Sequence, residues 1–189
     1  YLSTRGDYPF ILTNGNEITK KIRSNSDVST VRGEANIYGN LGKGGELTFK
    51  ANYLYSERGL PGSVVLYNDD AKERLWDESA FVQASYKISP HRKWDIQAHL
   101  KYNFAWNRYT DEKEYYPNGK LEDMYTQNEY YGSVSTQYKP LESLSFAFSQ
   151  DFFVNTLDLS FNEMMSPKRY NSLSVIAGKY NSKRLTVTA

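Results

Sequence analysis

Between Thr30 and Leu41 small or apolar residues take every second position: Val31, Gly33, Ala35, Ile37, Gly39 and Leu41. Thr30, Arg32, Glu34, Asn36 and Asn40 fill the gaps, and only Tyr38 mixes the two characters. Successive side chains of an extended strand point to opposite faces, so this alternation predicts a strand with one apolar and one wet face. Gly42-Lys43-Gly44-Gly45 then reverses the chain, since glycine reaches positive φ at no steric cost. The return strand carries Leu47, Phe49, Ala51, Tyr53 and Tyr55 on one face, with Glu46, Thr48, Lys50 and Asn52 on the other.

The pattern recurs. Ala80, Val82, Ala84, Tyr86 and Ile88 alternate with Ser79, Gln83, Ser85 and Lys87, and a turn at 89–93 leads into the clearest strand of all. There Trp94, Ile96, Ala98, Leu100, Tyr102, Phe104 and Trp106 alternate with Asp95, Gln97, His99, Lys101, Asn103 and Asn107. A third hairpin joins 130–138 to 144–154 through a turn at 139–142, and a weaker one joins 173–180 to 185–189. No helical period appears. Short turns alternate with long excursions near 5–27, 57–78, 108–127 and 156–170. In an up-and-down meander this places all short turns at one rim and all long loops at the other, the habit of outer-membrane barrels. The expected fold is therefore all-β, an antiparallel up-and-down meander of about eight long strands forming a segment of a transmembrane β-barrel within one domain, 1–189.

Aromatic residues support the membrane reading. Tyr86, Trp94, Tyr138 and Tyr180 fall beside the short turns, and Tyr53, Tyr55, Phe104, Trp106, Tyr130 and Phe152 are expected near the long-loop ends. Rings with an apolar body and a polar edge belong at the two membrane interfaces. Composition fits: 39% hydrophobic and 15% aromatic residues, with 17 Tyr, at a mean hydropathy of −0.70. No apolar run approaches the ~18 residues of a membrane-spanning helix. The 23 basic and 22 acidic residues leave a net charge of +1, so no electrostatic footprint for nucleic acid exists. The absence of Cys excludes disulfides, Cys-ligated zinc and thiol catalysis. The last residues, Leu185 to Ala189, read as a strand cut short, and the chain is expected to be a piece of a longer protein.

Candidate chemistry is sparse. His91 lies in a tight turn, and His99 on a wet face is expected to find a hydrogen-bond partner. No second His or Cys stands at ligand spacing, so neither a metal nor a cofactor is expected, and the chain is not expected to be an enzyme. Asp69-Asp70, Glu112 and Glu114 read as loop carboxylates. Gly39 to Gly45 lacks the Gly-Lys-Ser/Thr ending of a phosphate loop, and Arg5-Gly6-Asp7 reads as a chance tripeptide. The wet faces carry Arg32, Glu34, Lys50, Asp95, Lys101, Glu129 and Asp151, which suit either lining a solute path or stiffening the wall.

Several segments resemble the TonB-dependent outer-membrane receptors of the Bacteroidetes type: Asn25-Ser26-Asp27, Ser56-Glu57-Arg58-Gly59-Leu60-Pro61-Gly62, Lys72-Glu73-Arg74-Leu75-Trp76-Asp77-Glu78 and Gln127-Asn128-Glu129-Tyr130-Tyr131-Gly132. The resemblance implies a large barrel in the outer membrane of a Gram-negative bacterium. That barrel encloses a plug domain of the same parent chain and imports a scarce nutrient (siderophore, haem, cobalamin or glycan) with energy from the TonB complex. Its partners would be outer-membrane lipid, the plug, the TonB complex and a small nutrient ligand. Arg32, Lys101, Arg58, Tyr67, Trp76, Tyr115 and Tyr116 are the ligand-contact candidates. The alternatives are a complete small eight-stranded barrel for adhesion or anchoring, an outer-membrane enzyme and a soluble lipid-carrying barrel.

Overall fold

The computed structural model describes residues 1–42, 44–62, 71–160 and 166–189. Eleven strands follow one another among these residues: β1 (Leu2–Thr4), β2 (Pro9–Asn14), β3 (Glu17–Ile22), β4 (Val28–Asn40), β5 (Glu46–Leu60), β6 (Glu73–His91), β7 (Trp94–Asp111), β8 (Leu121–Leu141), β9 (Leu144–Leu159), β10 (Lys168–Asn181) and β11 (Thr186–Thr188). Nine form one antiparallel sheet in the order β1-β4-β5-β6-β7-β8-β9-β10-β11, an up-and-down meander whose two ends do not pair. β2 and β3 make a separate hairpin inside the expected 5–27 excursion. All eight strands anticipated from the alternation are present as β4 to β11. β11 is only a three-residue strand, and β1 is added at the far edge.

The registers keep the alternation in step across the sheet. Ala35 faces Ala51, Ala51 faces Val82, Val82 faces Tyr102, and Tyr102 faces Tyr130. One row up or down, Phe49, Ala84, Leu100, Gly132 and Phe152 align. A slip of one residue would turn every apolar side chain to the wet side, so the matched pattern itself fixes the register. The aromatic edge closes with Trp94 stacked on Tyr138 at 4.5 Å between ring centroids. Phe152 lies mid-strand in the row of Leu100, because β9 runs on to Leu159 rather than ending where its hydrophobic pattern fades.

The long excursions are shorter than the sequence suggests, spanning 61–72, 112–120 and 160–167. Pairing continues past the amphipathic stretch on side chains of mixed character: Glu57 faces Trp76, Arg58 faces Leu75, and Arg108 faces Met124. Alternation reports only where one face is apolar, whereas the backbone ladder extends wherever both strands remain extended. At the opposite rim, Gly42 and Gly44 take φ of 51° and 81°, and Gly45 N–H donates to Gly42 O at 3.0 Å. Register shifts at Ile88/His91 and Tyr138/Leu141 tighten the next two turns.

Among the described residues no apolar side chain is buried. A single sheet has no second layer to cover either face, and Ile37 (61%), Leu100 (67%), Phe152 (59%) and Ile176 (79%) stand open on the apolar one.

Candidate functional site

The wet face carries a continuous series of polar and aromatic groups from mid-wall to the long-loop rim. At mid-wall the Lys101 ammonium lies 5.3 Å from the Phe81 ring centroid. Lys101 faces Tyr131 across the β7–β8 pair, and Tyr131 packs on Phe153 at 4.7 Å. One row higher, Asn103 Nδ2 donates to Glu129 Oε1 at 2.7 Å. Higher still, Arg58 pairs with Asp77 at 2.7 Å, and Asn107 Nδ2 donates to the same carboxylate at 2.5 Å. A row below Lys101, the Ser85 hydroxyl and His99 Nδ1 lie 2.8 Å apart, so His99 has its hydrogen-bond partner.

At the rim Asp111 is the most buried side chain in the sheet, 1% exposed. Its Oδ2 accepts from Tyr116 OH at 2.9 Å and from Lys113 Nζ at 3.0 Å, while Oδ1 has no hydrogen-bond partner. Lys113 also reaches Glu73 at 3.3 Å. The Asp111 carboxylate, then Glu73, holds the Lys113 ammonium protonated well above the usual lysine range. The Tyr115 hydroxyl donates to Tyr116 OH, and the two rings tilt together at 4.4 Å. That bond and the Asp111 carboxylate push the Tyr116 phenol up, so it stays neutral at any ordinary pH. Tyr115 itself stands 71% exposed above the network. A neutral phenol and an anchored cation present a ring face and hydrogen-bonding groups without needing to titrate.

The ligand-contact candidates thus fall in several places. Lys101 and Arg58 lie on the wet face, and Tyr115 and Tyr116 at its upper end. Arg32 is on the same face but on the stretch of β4 that β1 leaves unpaired, where it meets Glu34 at 3.4 Å. Trp76 points to the opposite side, in line with Glu57 and Arg108. Its ring is flanked by the guanidinium groups of Arg108 at 5.0 Å and Arg74 at 5.9 Å. Tyr67 lies outside the described residues. The Phe81, Tyr131 and Phe153 aromatics escaped the alternation analysis, although Tyr130-Tyr131 and Phe152-Phe153 are doublets, and one ring of any doublet in a strand must face the wet side.

Three segments quoted for the family resemblance meet at one corner. Asn25 takes φ of 53° and donates from Nδ2 to Leu60 O at 3.0 Å and Glu73 O at 2.8 Å. The Gly59 N–H donates to Asp27 O at 2.9 Å, and a Cβ on Gly59 would sit 2.4 Å from Asn25 Oδ1. Arg74 grips the Asp27 carboxylate through both terminal nitrogens, at 3.2 and 2.8 Å, and also Glu57 at 2.8 Å. The Arg74 guanidinium holds the Asp27 carboxyl below its ordinary value. Two further pairs, Arg108–Glu122 at 2.5 Å and Lys120–Glu122 at 2.9 Å, neutralise more of this rim.

Among the described residues no three His, Cys, Asp or Glu side chains gather closely enough to hold a metal ion. No protein-family model matches the chain, and no curated protein matches it in sequence.

Proposed function

We propose that the chain is a wall segment of an outer-membrane active-transport receptor, its apolar face against lipid and its wet face toward the solute path. The observation that carries this reading is a nine-stranded sheet in which, among the described residues, no apolar side chain is buried, and in which β4 to β9 repeat apolar residues on one face between two aromatic edges. A soluble sheet needs a second layer over that face, whereas a lipid-facing wall needs none and alternates apolar-out with polar-in. The family resemblance supplies the rest of the reading: an enclosed plug, coupling to TonB and a scarce nutrient as cargo. Lys101 with Phe81 and Tyr131, Arg58 with Asp77, and the Tyr115–Tyr116 pair are then contacts met by a small polar nutrient on its way in. Convergence of the Asn25, Gly59 and Arg74 segments supports the resemblance, since motifs spread along the sequence act as one joint.

The membrane element is tested by single cysteines on β7, which the Cys-free background makes simple. A bimane label at Ala98, Leu100 or Tyr102 should be quenched by brominated phosphatidylcholine, and one at His99, Lys101 or Asn103 should not. Equal quenching along the strand would refute the lipid-facing wall. The transport element is tested by deleting the gene and growing cells on limiting iron chelates, haem, cobalamin or glycans. Unchanged growth on all four would remove it.

A further inference from the structure

The short-turn end of the wet face gathers several cations around one recess. A recess of about 640 Å³ there is lined by Arg92, Lys93, Lys139 and Lys179, with Glu142 as its only acidic lining residue. A second recess of about 520 Å³ shares Gln137 with it and adds Lys87 and Asp95. Lys139 is taken up by Asp95 at 2.9 Å, and Asp95 also accepts from the Ser89 hydroxyl at 2.6 Å. Arg92, Lys93 and Lys179 have no ion-pair partner among the described residues. At the other rim Arg58, Arg74, Arg108, Lys113 and Lys120 are all paired with carboxylates. Five cations of the long-loop rim are thus held by carboxylates, whereas three that line this recess are open.

We propose that this recess docks an acidic segment of polypeptide. The cations occupy three of four neighbouring lanes: Lys93 leads into β7, Lys139 is in β8 and Lys179 is in β10, with Ser145 of β9 between the last two. Lys139 N–H donates to Lys93 O at 2.8 Å, and Lys179 faces Ser145 in register, so the lanes are contiguous. At ~4.8 Å per strand, three lane spacings cover ~14 Å, which an extended peptide crosses in about four residues. Two or three carboxylates on such a segment meet separate cations, whereas a lone phosphate is no wider than one lane. Gln137, Ser145 and Lys179 lie on the wet side of their strands, away from Trp94, Tyr138 and Phe146, so the recess faces the lumen side rather than lipid headgroups. The proposal rests on the receptor reading only for the source of the segment, namely the polypeptide that the wall encloses.

The test uses the chain in detergent micelles with a fluorescein-labelled peptide of alternating Glu and Ser, read by anisotropy, beside the same peptide with Gln for Glu. The Glu peptide should bind and the Gln peptide should not. The triple substitution Arg92→Gln, Lys93→Gln, Lys179→Gln should weaken binding at least tenfold, while Lys93→Arg with Lys179→Arg retains it. Raising salt from ~0.1 to ~0.5 M should weaken binding through screening. Equal binding of both peptides, or no loss in the triple variant, overturns the proposal. So does a cation-dependent attachment to phosphatidylglycerol nanodiscs without peptide binding, which would make the recess a lipid headgroup site. Peptide binding with uniform bimane quenching would keep the recess and discard the receptor reading. The converse result would do the reverse.

Discussion

Leu100→Arg is the sharpest test of the proposed lipid-facing wall. Leu100 stands six residues from Trp94 and six from Trp106, the two tryptophans that mark the aromatic edges on β7. At ~3.4 Å per residue and a tilt of ~40°, the Trp94–Trp106 span rises ~31 Å along the membrane normal, just outside the ~25 Å apolar band of such barrels. On the proposed reading Leu100 is therefore at the midplane. Its in-register neighbours are Ala84 and Gly132, too small to cover it, and two-thirds of its surface is open. An arginine there meets hydrocarbon with no partner on the sheet, and such a charge at the midplane costs ~2–4 kcal/mol, falling to ~0–1 kcal/mol near the interfaces. The assay is a guanidinium titration of the protein in phosphatidylcholine vesicles, followed by tryptophan fluorescence. Ile96→Arg and Phe104→Arg, each ~10 Å from the midplane on the same geometry, should cost at least ~1 kcal/mol less than Leu100→Arg. Gln97→Arg, on the wet face, should be close to neutral. A cost at Leu100 below ~0.5 kcal/mol, or an equal cost at Gln97, would refute the assignment of faces.

Two predictions concern the corner at the long-loop rim. Gly59→Ala forces a Cβ to within 2.4 Å of Asn25 Oδ1 and 2.5 Å of Asn25 O, so it should lower stability by ~1–3 kcal/mol. Gly33→Ala, with open space around it, should be neutral in the same titration, and equal effects at the two sites would contradict the close approach. The Asp27–Arg74 pair sets an acid limit. The carboxyl is depressed below its ordinary value of 3.8, so its stabilisation is full above that pH and fades as the pH falls through the lower folded value. With both partners partly exposed the loss is ~0.2–1 kcal/mol. Guanidinium midpoints of the wild type and Asp27→Asn should differ at pH 7 and converge below pH 3.8. A constant difference down to pH 2 would exclude the pair as the cause.

The meander was legible because one face of each strand is apolar, and a period of two is then written directly into the residues. Trp94 to Trp106 is the plainest case. The same rule fails where both faces are polar, which is why β5, β6 and β8 extend several residues beyond their apparent ends. Cross-strand ion pairs such as Arg58–Asp77 replace apolar contacts there and carry no period of their own. On β10 the rule weakens in the middle: Ser172 and Ser174 share the side of Phe152, while Leu173 and Val175 face Asp151 and Ser149. The hairpin β2–β3 was missed for a related reason, since Phe10, Ile11 and Leu12 run together without alternation. Lys101 and Arg58 could be placed on the wet face by counting. The network around Asp111 could not, because it joins a strand end, a loop and β6 across long stretches of sequence.

The corner formed by Asn25, Asp27, Gly59 and Arg74 explains why a loop-rich rim can be held without a core. Each contact there is a backbone group met by a side chain or by another backbone group, or a charge met by its opposite, and none depends on apolar burial. Asn25 tolerates its left-handed φ better than most residues, and Gly59 lets its side chain approach the strand backbone. Together they pin the segment entering β4 against the end of β5 and the start of β6. The strands they join are those flanking the expected ligand-facing loop, so the rim's shape is set by polar locks rather than by packing. On the proposed reading, with the apolar face given over to lipid, polar locks are the means left for fixing this end, and Asp27, Glu57 and Arg74 serve it. The opposite rim has tight turns to fix it, and Arg92, Lys93 and Lys179 there are left for the proposed partner.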